Sequence, residues 1–311
     1  MNSKGNRILV ALDGSEHALN TVRYLGHVLP PGNTELVFFC VLGKEPDYFL
    51  DSAVDPASRY GQDIAARWRT EQRNNIEKYM ENARRLMTER GFHSEAVKIK
   101  IQEKEVGVAR DIIREAQSGY DAVVAGRQGA NPITRLVIGS IASKLLQSLT
   151  FVPFWLVGAT EPSNKILVAV DASESSVRGV EHIGNMVGNA NVEVTLFRVI
   201  RSLKQDEKFL EALGQDTSKA KAAEEAITRD IFEKAFQILE KAGMKHDQIT
   251  AKVVTGVATR SGSIIAQASS GKYGTIVVGR KGHSKVGDFY MGRVTNKVVQ
   301  LASKAALWVV N

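Results

Sequence analysis

Short apolar runs rich in β-branched residues alternate along this chain with longer stretches of helical periodicity. In the first half the runs predict strands over residues 7–12, 35–41, 96–102, 120–125 and 152–157. RILVAL and DAVVAG are apolar at almost every position, which suits strands buried on both faces, as in a parallel sheet. Between the first two runs, Ser15 follows an Asp-Gly turn and predicts the cap of a helix over residues 15–28. A longer helix is predicted over much of 58–90, where Ile76, Tyr79, Met80, Ala83, Leu86 and Met87 trace one apolar stripe. Its other face carries the charge of EQRNNIEK and ENARR, the pattern of a solvated surface. In the second half Ile227, Ile231, Ala235, Ile238 and Leu239 form the matching stripe.

The match between halves extends to the residues themselves. ILVALDGSE (8–16) returns as ILVAVDASE (166–174), and YDAVVAGRQG (120–129) as YGTIVVGRKG (273–282). FVPFWLVG (151–158) returns as KAALWVVN (304–311). The first pair is spaced slightly wider than the others, so the first copy carries a few extra residues in its middle. Three blocks repeated in one order predict a duplicated domain, over 1–158 and 164–311, joined by the polar GATEPSN at 158–164. The alternation of strand and helix predicts an α/β fold of two tandem doubly wound domains, each a parallel sheet flanked by helices. Ligands in such folds sit beyond the carboxyl ends of the strands.

Composition narrows the function classes. Of 311 residues, 24% are charged and 43% hydrophobic, the balance of a globular protein rather than a disordered one. No apolar run approaches the ~20 residues of a membrane span, and MNSKGNRILVALDGS lacks the pattern of a leader peptide. The single Cys40, inside LVFFCVL, makes no internal disulfide and reads as a buried core residue, which points to a reducing, cytoplasmic setting. The net charge of +7 favours anionic ligands, but the 41 basic and 34 acidic residues are interspersed, without a basic arm or a nucleic-acid motif. His17, His27, His93, His182, His246 and His283 are scattered without metal-ligand spacing.

The candidate chemistry lies in two glycine loops, GRQGANPITRLVIGS (126–140) and GRKGHSKVGDFYMGR (279–293). Both begin where the fourth strand of a copy ends. Gly126 and Gly129 suit a tight turn with positive φ and close backbone approach, and Gly139-Ser140 opens the next helix. A helix N-terminus offers unpaired N–H groups to an anion, and Ser140 is expected both to cap this helix and to donate its hydroxyl. The loop is not a P-loop: AQASSGKY (266–273) has alanine where the first glycine belongs and tyrosine where Ser or Thr belongs. No G-x-G-x-x-G follows either first strand, so a nicotinamide site lacks support.

A strand ending in aspartate (VALDGS, VAVDAS), the G-x2-G-x9-G-S loop and a closing apolar strand with tryptophan together resemble the universal stress protein family. The resemblance covers nearly the whole chain as two copies. It implies a five-stranded parallel sheet per domain, pairing of the copies through their last strands (152–157 and 306–310), and ATP binding as in one branch of the family. Carried over by position, Ala11 and Asp13 would line the adenine and ribose end, and Val41 would read adenine with its backbone. Gly126 would face the ribose, while Gly129, Gly139, Ser140 and the Ile141 amide would hold the phosphates. Any magnesium would be bound largely through phosphate oxygens and water.

In the second copy Asp171, Val199, Gly279, Gly282, Gly292 and Arg293 take the corresponding places. Gly14 becomes Ala172, and Ser140 becomes Arg293, which replaces a potential cap by a long cation. Two readings stay open: the guanidinium grips phosphate with help from Arg280, Lys281 and Lys285, or it fills a site that no longer binds. Three functions follow. The first is a stress-response protein that binds ATP for signalling to a protein partner, with at most slow hydrolysis. The second is a nucleotide-free interaction scaffold, and the third an ATP-dependent enzyme of the wider adenine-nucleotide α/β group. An internal pseudo-dimer is expected, with further self-association left open.

Overall fold

The computed structural model describes residues 5–43, 59–128, 138–159, 163–201, 217–282 and 291–311. The apolar runs of the first half form β1 (Asn6–Ala11), β2 (Thr34–Leu42), β3 (Val97–Glu103), β4 (Ala122–Gly126) and β5 (Phe154–Val157). Those of the second form β6 (Lys165–Ala169), β7 (Glu193–Arg201), β8 (Ile249–Val257), β9 (Thr275–Gly279) and β10 (Ala306–Val310). The helices are α1 (Glu16–Val28), α2 (Arg59–Thr88), α3 (Val108–Ala116) and α4 (Ser140–Ser148), then α5 (Glu174–Val187), α6 (Thr217–Lys241), α7 (Arg260–Ser270) and α8 (Arg293–Leu301).

Within each half the strands are parallel and run in the order β3-β2-β1-β4-β5 or its counterpart β8-β7-β6-β9-β10. The two sets are not separate sheets. β5 and β10 pair antiparallel, with Trp155 opposite Trp308, and make one ten-stranded sheet. Each closing strand is fully apolar (FWLV, ALWVV), so a free edge there would expose both backbone and side chains to water. Pairing the two edges removes that exposure. Because the junction is antiparallel, the carboxyl ends of the two strand sets lie on opposite edges of the sheet, and so do Gly126 and Gly279, where the two glycine loops begin.

An apolar layer covers each face of the sheet, and each layer draws residues from both halves. On one face α2 packs through Met80, Ala83 and Met87, with Ile76, Tyr79 and Leu86 half-buried beside them. The matching stripe of α6 begins one turn later than its periodicity predicts. Ala235 and Leu239 are buried, but Ile227 is 45% exposed while Thr228 beside it is 9% exposed. Thr228 satisfies its hydroxyl by donating to the Glu224 carbonyl, so a helix-internal bond removes the penalty for burying it. AQASSGKY falls at the end of α7, which Gly271 terminates.

Candidate functional site

β1 ends at Ala11, and the chain turns through Asp13-Gly14 into α1. Gly14 has φ +79°, a conformation that a residue with a Cβ rarely adopts. Ser15 caps α1 by accepting from the Ala18 amide, and Asp13 Oδ1 accepts from both the Ser15 amide (3.0 Å) and its hydroxyl (2.6 Å). The Asp13 side chain is exposed at the carboxyl edge of the sheet. Tyr79 donates to the Ser15 carbonyl, and burial together with the Asp13 charge pushes its hydroxyl well above the usual range. Burial, then the Asp13 charge, pushes the Cys40 thiol up to about 12, so this cysteine is a protonated core residue.

β2 overruns β1. The last rung between them pairs Ala11 with Phe39, after which the Leu12 amide donates to the Phe39 carbonyl. Strand backbone groups alternate sides, so Val41 turns its N–H and C=O the same way as Phe39, past the point where β1 has left the sheet. Val199 stands in the same relation to β6, two residues after Phe197, whose carbonyl accepts from Val170. Each of these edges lies at the strand where the order reverses, the usual ligand position in an open α/β sheet.

Gly126 closes β4 on the other side of β1. It is not in the positive-φ region, but a side chain there would be crowded. A Cβ there would lie 3.2 Å from the Gln128 carbonyl and 3.6 Å from Thr21 Oγ1. Thr21 is 1% exposed, and its hydroxyl has no hydrogen-bond partner among the described residues. Sequence reasoning missed this residue, because a threonine within the apolar face of α1 looks like a packing residue. Gly139 returns to the strand end, donating its amide to the Arg127 carbonyl. Gly129 lies outside the described residues.

The cap assigned to Ser140 belongs elsewhere. Gly139 is the N-cap of α4 and makes no side-chain cap bond, while Ser140 is already the first helical residue. Its hydroxyl is exposed and available, and the Ser140 and Ile141 amides belong to the first turn, which has no intrahelical acceptors. Gly292 likewise caps α8, and Arg293 is its exposed first residue. The change from Ser140 to Arg293 therefore removes no cap.

Nor does Arg280 reach toward a ligand. It is 3% exposed and donates to the Leu146 and Leu149 carbonyls, both at 2.8 Å, at the end of α4 in the other half. Arg127 does the same in reverse, donating to the Ala302 and Gln300 carbonyls at the end of α8. A cation at a helix C-terminus meets the negative end of the dipole, so both arginines tie the halves together. Burial lowers Arg280 only to about 10, which leaves it charged at neutral pH. Lys285 lies outside the described residues.

In the second half Asp171 Oδ1 accepts from the Ser173 amide and hydroxyl, repeating the first turn, and Ser173 caps α5. Ala172 is absent from the positive-φ residues, so this turn does without glycine. A Cβ on Gly282 would lie 3.5 Å from Asp171 Oδ2, and one on Gly292 would lie 3.4 Å from the Gly282 amide nitrogen. Gly282 thus lies beside Asp171. A Cβ on Gly279 would lie 2.8 Å from Ser175 Oγ, so this strand end is filled by α5.

Among the described residues no cluster of three or more His, Cys, Asp or Glu side chains is arranged for a metal, and no helix is long and apolar enough to cross a membrane. No curated protein matches the chain in sequence. Among solved structures it is similar to a universal stress protein from Archaeoglobus fulgidus, at 17% identity and TM-score 0.62, covering 100% of this chain and 99% of that one. It is also similar to a putative universal stress protein from Pseudomonas aeruginosa, at 16% identity and TM-score 0.58, covering 99% and 94%. At these identities both similarities establish the fold. The model of the universal stress protein family matches twice, over residues 5–157 and 162–310, and the chain belongs to that family, with its module present in tandem.

Proposed function

We propose that this protein binds ATP in its first half and uses occupancy to signal to a protein partner rather than to drive turnover. The observation that carries this reading is the overrun of β2 past β1. It turns the Val41 N–H and C=O toward the space beside the exposed Asp13 carboxylate, at the switch point of the sheet. A donor and an acceptor on one strand edge suit the edge of an adenine ring, and Ala11 and Asp13 would line the adenine and ribose end.

The described residues fit the rest of such a ligand. At Gly126 a side chain would crowd the Gln128 carbonyl, and the buried Thr21 hydroxyl beside it has no partner among the described residues. Gly139 carries no side chain over the first turn of α4, where Gly129, Ser140 and the Ile141 amide would hold the phosphates. Bound ATP would supply the polyphosphate charge, and any magnesium would be held through phosphate oxygens and water. The buried, protonated Cys40 is in keeping with a cytoplasmic protein.

Mass spectrometry of small molecules released from the denatured, freshly purified protein tests this directly. An adenine nucleotide near one equivalent per chain is the expected result. No retained nucleotide, together with no calorimetric response to ATP, would favour a nucleotide-free scaffold. Substrate-stimulated phosphate release would favour the enzyme.

A further inference from the structure

A cleft of about 430 Å³ opens beside the β5–β10 junction, a size within the range of ~300–1,000 Å³ common for small-molecule sites. Its apolar part includes Phe151, 51% exposed, and Pro153, both just ahead of β5. α5 contributes Arg178, Glu181 and His182, whose spacing of three and four residues sets them on one face of the helix. His182 is 7% exposed. Its Nε2 accepts from Trp155, so the proton of the neutral ring sits on Nδ1, and no described residue accepts from that N–H. Glu181 is exposed and makes no ion pair or hydrogen bond among the described residues. Arg178 donates its Nε to the Asn311 carbonyl, and its Nη1 meets the 93%-exposed Glu174 at 3.4 Å, a pair worth little in solvent. The first half does not repeat this chemistry. There Asn20, Arg23, Tyr24 and Lys304 stand in the places of Arg178, Glu181, His182 and Phe151. Tyr24 spends its hydroxyl on Trp308 and Thr275, and Arg23 is paired with Glu16 and Asn20.

We propose that this cleft binds a small amino-acid-like zwitterion with an apolar side chain. Residues three apart on a helix lie about 5–6 Å from each other at Cβ, so Arg178 and Glu181 present opposite charges close together. That pairing suits a molecule with carboxylate and ammonium on neighbouring atoms. The carboxylate would meet the Arg178 guanidinium and the His182 Nδ1–H, the ammonium would meet Glu181, and the side chain would lie on Phe151 and Pro153. A buried N–H without an acceptor is costly, and a ligand oxygen that pairs it recovers that cost. None of the residues lining the cleft belongs to either glycine loop, so the proposal does not rest on the nucleotide reading. The bond from Trp155 to His182 places an indole one residue away from the bound molecule as a reporter.

The test titrates L-phenylalanine into the full chain by calorimetry, with the indole N–H resonance of Trp155 as a second readout. Saturable binding near one equivalent, with a shift of that resonance, is the expected result. Glu181→Gln and Phe151→Ser should each weaken binding about tenfold or more without lowering the melting temperature, because both side chains are exposed. Hydrocinnamate lacks the ammonium and phenylalaninamide lacks the carboxylate, and each should bind about tenfold more weakly than the zwitterion. No saturable response up to ~10 mM L-phenylalanine overturns the proposal. Binding that Glu181→Gln and Phe151→Ser leave unchanged overturns it too, since the probe then sits elsewhere. Either analogue binding as tightly as L-phenylalanine would refute the zwitterion as the ligand class.

Discussion

The indole of Trp155 lies flat on that of Trp308, with ring centroids 3.7 Å apart and planes 4° from parallel. The two residues face each other across the antiparallel β5–β10 junction, and each sends its N–H to the opposite half. Trp155 donates to His182 Nε2 at 3.0 Å, and Trp308 to the Tyr24 hydroxyl at 2.9 Å. Tyr24 and His182 are equivalent positions on α1 and α5, so the crossed bonds repeat about the pseudo-two-fold with different chemistry in each half. All four side chains are buried.

Truncating either indole should be costly. Trp155→Ala or Trp308→Ala removes a large buried aromatic and leaves a buried acceptor without its donor, and about 3–5 kcal/mol of stability should be lost. Urea unfolding monitored by circular dichroism measures it. A loss below about 1 kcal/mol would mean the stack is not holding the halves together.

The same junction predicts the outcome of limited proteolysis. Cleavage within 158–164, the linker expected from the repeat, should yield two fragments that co-elute in size exclusion. The Arg127 and Arg280 bonds to opposite helices contribute to that association. Arg280→Met should weaken it by about 3 kcal/mol, since the Leu146 and Leu149 carbonyls lose charged donors. Fragments that separate at micromolar concentration would contradict the prediction.

His182 gives the stability a pH dependence. An indole N–H only donates, so the Nε2 that accepts it is unprotonated, and burial lowers His182 from 6.5 to about 3. Below pH 6.5 the unfolded chain therefore holds a proton that the folded chain does not, and unfolding becomes more favourable as pH falls. This contribution is fully present above pH 6.5 and is lost progressively toward about pH 3. His182→Gln keeps an acceptor for Trp155 but removes the titration, so its stability should fall less between pH 6.5 and 4 than that of the wild type. Parallel acid limbs for the two proteins would exclude this role.

At the first site, Gly139→Val puts a branched side chain over the first turn of α4 and should abolish ATP binding in calorimetry. Ser140→Ala should weaken binding by about 1–2 kcal/mol through one lost hydrogen bond, without altering the melting temperature, because Ser140 is not the cap. Unchanged affinity in both variants would remove the nucleotide from this loop.

The repeated blocks and the apolar runs were enough to determine two parallel five-strand sets and the edge on which each glycine loop lies, because period and burial are local properties of the sequence. Val41 is a candidate through the family resemblance, and what the structure adds is that β2 overruns β1 there. Local patterning did not reveal which residues meet across the junction. Arg127 and Arg280 look like loop cations in sequence, yet each is buried against carbonyls more than a hundred residues away. Ser140, expected as a cap, is the first helical residue, as is Arg293 in its place, because a cap is defined by backbone dihedral angles, which residue type only biases. Thr21, Ser175 and Thr295 carry no signal of their own in a helical stripe. Only the packing of α1, α5 and α8 against the strand ends decides that the Thr21 hydroxyl has no partner among the described residues while the Ser175 and Thr295 hydroxyls meet carbonyls.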